Sequence, residues 1–164
     1  MRVIGIDVGL ASTGYAVIET CSERGRTNNK VITCGVCKSS NRFSLSKRLK
    51  ELYGDIRAVM IEENPQIAVY ESVFYKQNLK TLSLLAQARG VLLLAAEELG
   101  IKVVEYSPAE IKLAICGNGR ASKYQIQKMV EHLIDARLSA PSDVADACAC
   151  ALCYCSKNQT KKQT

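Results

Sequence analysis

The chain has no tryptophan, two phenylalanines, three prolines and one histidine. A single histidine, His132, excludes sites built from several imidazoles. It falls in a helical pattern among apolar residues, so it reads as structural. Three prolines leave no proline-rich linker. Long hydrophobic runs are also missing. The strongest, Gly90 to Ala96, falls far short of the ~20 residues needed to cross a bilayer, which argues against a membrane partner. At the N-terminus, Met1-Arg2-Val-Ile-Gly-Ile-Asp7 places an acid inside what would be a signal-peptide core, with no cleavage site. That pattern predicts a cytoplasmic protein. There is no internal repeat. The 164 residues suffice for one domain with a substantial core. The expected domain is 1–156, with 157–164 as a polar, disordered tail.

Cysteine is plentiful, with eight in the chain. Cys34 and Cys37 form one C-x-x-C, and Cys150 and Cys153 form another. The first pair lies in a strand-like segment, where opposite parity sends the two side chains to opposite faces. The second lies in an Ala- and Cys-rich helix, where cysteine packs as a small hydrophobe. Free thiols are expected rather than structural zinc. The net charge of +6 makes a polyanionic partner plausible but moves the argument only slightly.

Hydrophobic periodicity gives the order β-β-β-α-β-α-β-α-α-α. Residues 2–8, Tyr15–Ile18 and Val31–Cys37 read as a meander with polar turns, including Glu23-Arg-Gly-Arg-Thr-Asn-Asn29. Ser44 caps a helix whose Leu45, Leu49, Leu52, Ile56 and Met60 recur at helical spacing, and Pro65 follows its end. Ile67–Glu71 is a strand. Leu79–Leu99 is a long helix, too apolar for one core face. Ile101–Tyr106 is the fifth strand. Ser107-Pro108, Ser122 and Pro141-Ser142 open the last three helices. Ile126, Met129, Val130, Leu133 and Ile134 mark one face of the middle helix, and the last fades near Lys157. The expected fold is α/β, a mixed five-stranded sheet flanked by helices. The right-handed crossover rule sets the fourth strand parallel to the first.

Asp7 and Glu71 each end an apolar strand, where an acid is costly unless something cationic meets it. Asp143 and Asp146 are three apart on one helix face. Strand-end carboxylates plus a helical pair build an all-oxygen site, which favours Mg2+, with Mn2+ as substitute, over zinc. Two ions ~4 Å apart activate water and stabilise a leaving oxygen in phosphodiester hydrolysis, so no side-chain nucleophile is required.

These segments resemble the RuvC family of Holliday junction resolvases, nucleases with a ribonuclease H-like fold. The matching stretches are Gly5-Ile-Asp7-Val-Gly9, Tyr70-Glu71-Ser-Val-Phe74, Gln87-Ala-Arg-Gly90, Gly117-Asn-Gly-Arg-Ala-Ser-Lys123 and Asp143-Val-Ala-Asp146-Ala147. Val8 departs from the family, where proline is common. The resemblance implies a metal-dependent endonuclease that makes paired symmetric nicks in four-way junctions during recombination and repair. It makes Asp7, Glu71, Asp143 and Asp146 the catalytic acids and metal ligands. It makes Phe74 a base-stacking aromatic and Lys112 and Lys123 DNA contacts. Lys76 and Arg120 suit the same groove, and so does Lys128. The resemblance also implies a homodimer, which suits the helix at 79–99, and a branch-migration helicase complex as partner.

Three other functional classes fit parts of the pattern, one of them a non-catalytic junction-binding protein of the same fold, which would be expected to lack at least one of the four acids. Asp7-Val-Gly9…Gly14 resembles the phosphate loop of actin-like ATPases, but those need a second similar half. A nuclease of RNA–DNA hybrids would share the fold and the acids.

Overall fold

The computed structural model describes residues 1–23, 26–72, 78–134 and 142–160. In chain order the elements are β1 (Arg2–Asp7), β2 (Ser12–Glu23), β3 (Arg26–Lys38), α1 (Leu45–Glu63), β4 (Ile67–Glu71), α2 (Leu79–Glu98), β5 (Lys102–Tyr106), α3 (Pro108–Cys116), α4 (Lys123–Leu133) and α5 (Ser142–Thr160). The five strands form one sheet in the order β3-β2-β1-β4-β5. β1 pairs antiparallel with β2 and parallel with β4, and Ile6 lies opposite Tyr70. The C-terminal ends of β1, β3, β4 and β5 therefore share one edge of the sheet.

Strand alternation divides the core in two. Val3, Ile67 and Val69 pack with α3, α4 and α5 on one face. Ile4, Ile6, Ala68 and Tyr70 pack with α1 and α2 on the other. Cys34 joins the first cluster and Cys37 the second, the opposite-face placement that their spacing implies. Cys148, Cys150, Cys153 and Cys155 are buried free thiols in α5.

α5 lies almost against the backbone of the sheet, because the strands beneath it carry glycine. A Cβ on Gly5 would stand 2.0 Å from the Ala147 carbonyl oxygen and 2.7 Å from the Ala151 nitrogen. A Cβ on Gly14 would stand 2.1 Å from the Asp143 carbonyl oxygen. A glycine inside a strand marks such an approach of another backbone.

The helix starts follow the sequence reading. Ser44, Ser107 and Ser122 each accept from a backbone N–H in the first turn, and the last two complete capping boxes with Glu110 and Gln125. These boxes satisfy orphan donors at each end. α1 ends at Asn64 in the left-handed region (φ 47°) just before Pro65.

Several boundaries differ from the sequence reading. β2 and β3 pair well beyond the core, with Thr20 opposite Asn29 and Cys21 opposite Asn28. The polar residues expected as a turn are therefore mostly strand, because ladder hydrogen bonds do not require apolar side chains. α5 runs to Thr160, past Lys157, whose ammonium is held by Glu110 at 2.7 Å. In α4 the buried stripe is Ile126 and Val130, continued by Ile134. Met129 and Leu133 are exposed, and so is His132 in the last turn, so the core role read for His132 does not hold. α2 as a whole is long and apolar enough, by length and composition, to cross a bilayer, which the short run Gly90–Ala96 does not suggest. Its inner face, Ala88, Leu92, Ala95 and Ala96, packs on α1 and the sheet.

Candidate active site

Asp7 and Glu71 end neighbouring parallel strands. Their parity matches Val3 and Gly5 on β1, and Ile67 and Val69 on β4, so both point to the α5 face. α5 meets that edge with its first two turns, bringing Asp143 and Asp146. Asp143 is fixed by the Ser12 hydroxyl, which donates to Oδ2, while Ser142 donates to Oδ1 at 3.2 Å. The Asp146 Oδ2 receives the Lys123 ammonium at 3.3 Å.

The electrostatics report how close the four acids are. The Asp7 carboxyl is pushed from 3.8 to about 7, first by burial, then by the charges of Asp146, Glu71 and Asp143, with Lys123 opposing. Glu71 is raised by burial and by Asp146, and Lys112 and Lys123 pull it back. Lys123 is itself raised, chiefly by Asp146 and also by Asp7 and Asp143. Four carboxylates facing one another over two lysines leave an unbalanced negative charge, which an added cation relieves.

The surroundings hold the edge rigid. Gly9 and Thr13 bond each other across the β1–β2 turn, Gly9 N–H to Thr13 Oγ1 at 3.2 Å and the Thr13 hydroxyl to the Gly9 carbonyl at 2.5 Å. Arg89 of α2 donates to the Glu71 carbonyl at 2.8 Å, pairs with Glu105 and lies 5.8 Å from the Tyr70 ring centroid. Tyr70 donates to the Leu92 carbonyl at 3.1 Å in the core. β4 is therefore anchored immediately before Glu71. Sequence reasoning does not find Ser12, Arg89 and Gly14 as supports. Gly14 reads in the sequence as the close of a tight turn but lies inside β2, and Arg89 is legible as part of Gln87-Ala-Arg-Gly90. Ser12 carries no signal.

Of the DNA-facing candidates, Lys112 and Lys123 stand beside the acids. Arg120 is exposed, and its backbone N–H bonds the Asn118 side chain at 2.9 Å. Among the described contacts it makes none with the acids. Lys128 pairs with Glu131 at 2.9 Å. Phe74 and Lys76 lie outside the described residues.

The donor set is all oxygen, as a hard divalent cation requires. Among the described residues no three His, Cys, Asp or Glu side chains already form a ligand shell. The acids make an open cluster, not a cage.

A family model described as crossover junction endodeoxyribonuclease RuvC matches residues 3–154. Crossover junction endodeoxyribonucleases RuvC from Syntrophomonas wolfei and Caldicellulosiruptor saccharolyticus are 41% and 39% identical to the chain over 155 residues. Those matches cover 94% of this chain and 88% and 92% of the relatives. The Thermus thermophilus RuvC structure superposes with a TM-score of 0.90 at 26% identity, covering 98% of this chain and 97% of that one. A T. thermophilus RuvC solved in complex with Holliday junction substrate superposes at 0.87 with 24% identity, over 98% and 96% of the two chains. The sheet order, the flanking helices and these superpositions make the fold ribonuclease H-like. On the matched length and identity, the chain belongs to the RuvC family of crossover junction endodeoxyribonucleases.

Proposed function

We propose that this chain resolves four-way DNA junctions by paired, symmetric, metal-dependent nicks, with Asp7, Glu71, Asp143 and Asp146 as catalytic acids. The observation that carries this reading is the convergence of two strand-end acids with two acids of α5 beside Lys112 and Lys123. The T. thermophilus relative bound to junction substrate supports the choice of DNA.

The four acids would hold two Mg2+ ions, with Mn2+ as a substitute. A bound ion supplies an activated water and neutralises charge on the phosphodiester. The chain's own contribution is position. Asp7 and Glu71 ride on paired strands, Ser12 fixes Asp143, and Arg89 fixes the backbone of Glu71. Lys112 beside Glu71 and Lys123 beside Asp146 would orient the phosphate. Phe74, Lys76 and Arg120 belong to the same groove in this reading.

Two cuts on opposed strands call for two sites related by a two-fold axis. The outward row of α2 offers the contact. Leu79 is 82% exposed and Leu94 53% exposed. Gly90, between them on the same face, has open space where a Cβ would stand. Such a row lets a second helix approach closely. Leu94→Glu is expected to shift the protein from dimer to monomer in light scattering, raising the dimer dissociation constant about 100-fold. An unchanged dimer would remove α2 from the interface. The same reading places the protein in the cytoplasm, working with a branch-migration helicase complex.

The test compares wild-type protein with Mg2+ on a four-way junction, on linear duplex and on an RNA–DNA hybrid. Junction-only cleavage is expected. Hybrid-only cleavage would move the chain to the other nuclease class that shares these acids.

A further inference from the structure

The segment Lys38 to Lys50 holds five basic residues, Lys38, Arg42, Lys47, Arg48 and Lys50, and no acid. It includes Phe43, one of only two phenylalanines in the chain. β3 ends at Lys38, on the same sheet edge as Asp7, and the register places Lys38 opposite Ser12. β3 lies two strands from β1, so at ~4.8 Å per strand the basic segment starts on the order of 10 Å from Asp7.

The segment is tied to the turn that follows Asp7. Ser39 N–H donates to the Ala11 carbonyl at 3.1 Å, and the Ser39 hydroxyl donates to the Leu10 carbonyl at 2.6 Å. Arg48 donates to Ser39 Oγ at 3.0 Å and to the Leu10 carbonyl at 3.2 Å. Arg48 is a tether. Arg42, Lys47 and Lys50 remain outward.

Those three are exposed, as is Lys38. Among the described residues, Arg42 and Lys50 form no ion pair. Lys47 meets Glu51 only at 3.9 Å, an exposed i,i+4 contact worth little. Its ammonium stands 3.5 Å above the Phe43 ring, which is 42% exposed. Glu51 and Asp55 line, with Lys38, the small cavity beside Leu10. Lys112 and Lys123 sit beside Glu71 and Asp146, towards the β5 side of the acids. The Lys38–Lys50 segment starts at the same sheet end on the β3 side, and Lys47 and Lys50 ride on the first turns of α1, which packs on the sheet face opposite α5. The acidic cluster repels phosphate, so a strand crossing it needs cations on both flanks.

We infer that Arg42, Lys50 and Lys47, the last held over the Phe43 ring, bind the phosphate backbone of the duplex arm leaving the active site on the β3 side. The surface rests on the junction-cleaving reading and adds a contact that the motif residues do not include. A separation of ~10 Å spans about three base-pair steps at 3.4 Å each, so the contact falls on the arm and not on the cut phosphodiester.

The test measures junction binding against salt for wild type and for Arg42→Gln/Lys47→Gln/Lys50→Gln, in EDTA. Loss of two or three phosphate contacts is expected to flatten the log–log salt slope by about 2 to 3 and to weaken binding at least ~10-fold. The charge-keeping triple Arg42→Lys/Lys47→Arg/Lys50→Arg should restore both, which separates charge from any folding defect. In a scan of neutral methylphosphonate linkages along the arm, one position should weaken wild type and leave the neutral triple unaffected. A neutral triple with wild-type slope and affinity overturns the surface while leaving the junction reading intact. A wild-type protein that does not bind junctions overturns both.

Discussion

Asp7→Asn is expected to lower junction cleavage at least ~1000-fold and to raise the melting temperature of the metal-free protein. The loss of cleavage follows from removing a carboxylate from the centre of the cluster, since Asp7 feels all three other acids. The gain in stability follows from the same repulsion. The Asp7 carboxyl titrates near 7 in the fold against 3.8 ordinarily. Between those values the folded protein keeps a proton that the unfolded chain has released. Metal-free stability from this group is therefore full below about 4 and lost as pH rises towards 7. Asp7 is not fully buried, so solvent screening reduces the effect to roughly 1–3 kcal/mol, or ~3–10 °C for a chain of this size. Thermal melts in EDTA from pH 5 to 8 check it. Wild type should lose stability with rising pH more steeply than Asp7→Asn, and Mg2+ should raise only the wild-type midpoint. An Asp7→Asn protein that is less stable at pH 8, or that cleaves normally, would contradict the assignment.

Gly14→Ala is expected to cost ~100-fold in cleavage, with a loss of about 1–3 kcal/mol in stability. The added methyl would overlap the Asp143 carbonyl, 2.1 Å from the position of its Cβ. That neighbour is helix backbone and cannot rotate away. The N-terminal turn of α5 must lift from β2, taking Asp143 from Ser12 and moving Asp146 with it. Gly54→Ala is the control, because nothing lies within 4 Å of a Cβ there. Cleavage by Gly14→Ala should fall far more than junction binding in EDTA. Equal losses of both would mean global disruption.

The acids are legible in the sequence because a charge at the end of an apolar strand is costly unless a cation meets it. The crossover rule sets the strands of Asp7 and Glu71 parallel, the condition for lying side by side, while the face that both acids share is set by the register and packing of the fold. The supports are less legible. Ser12 reaches Asp143 across 131 residues, and no local pattern encodes a contact of that separation. Gly5 and Gly14 announce a close approach but not which element approaches. His132 reads wrongly as a core residue because helical spacing admits two adjacent apolar faces, and only packing selects Ile126, Val130 and Ile134 over Met129 and Leu133. The β2–β3 hairpin outgrows its apolar centre because backbone pairing alone extends it. The charge of Lys38 to Lys50 is visible in the sequence, but only the sheet order shows that it starts at the sheet end that carries the acids, two strands from Asp7.

The most direct measurement maps the cuts on a four-way junction with a mobile core, each strand labelled in turn, with Mg2+ and with EDTA. The expected result is a pair of nicks at symmetric positions on two opposed strands, on the junction alone, abolished by EDTA. Unpaired cuts, cuts on linear duplex, or cleavage that survives EDTA would contradict a metal-dependent dimeric resolvase built on Asp7, Glu71, Asp143 and Asp146.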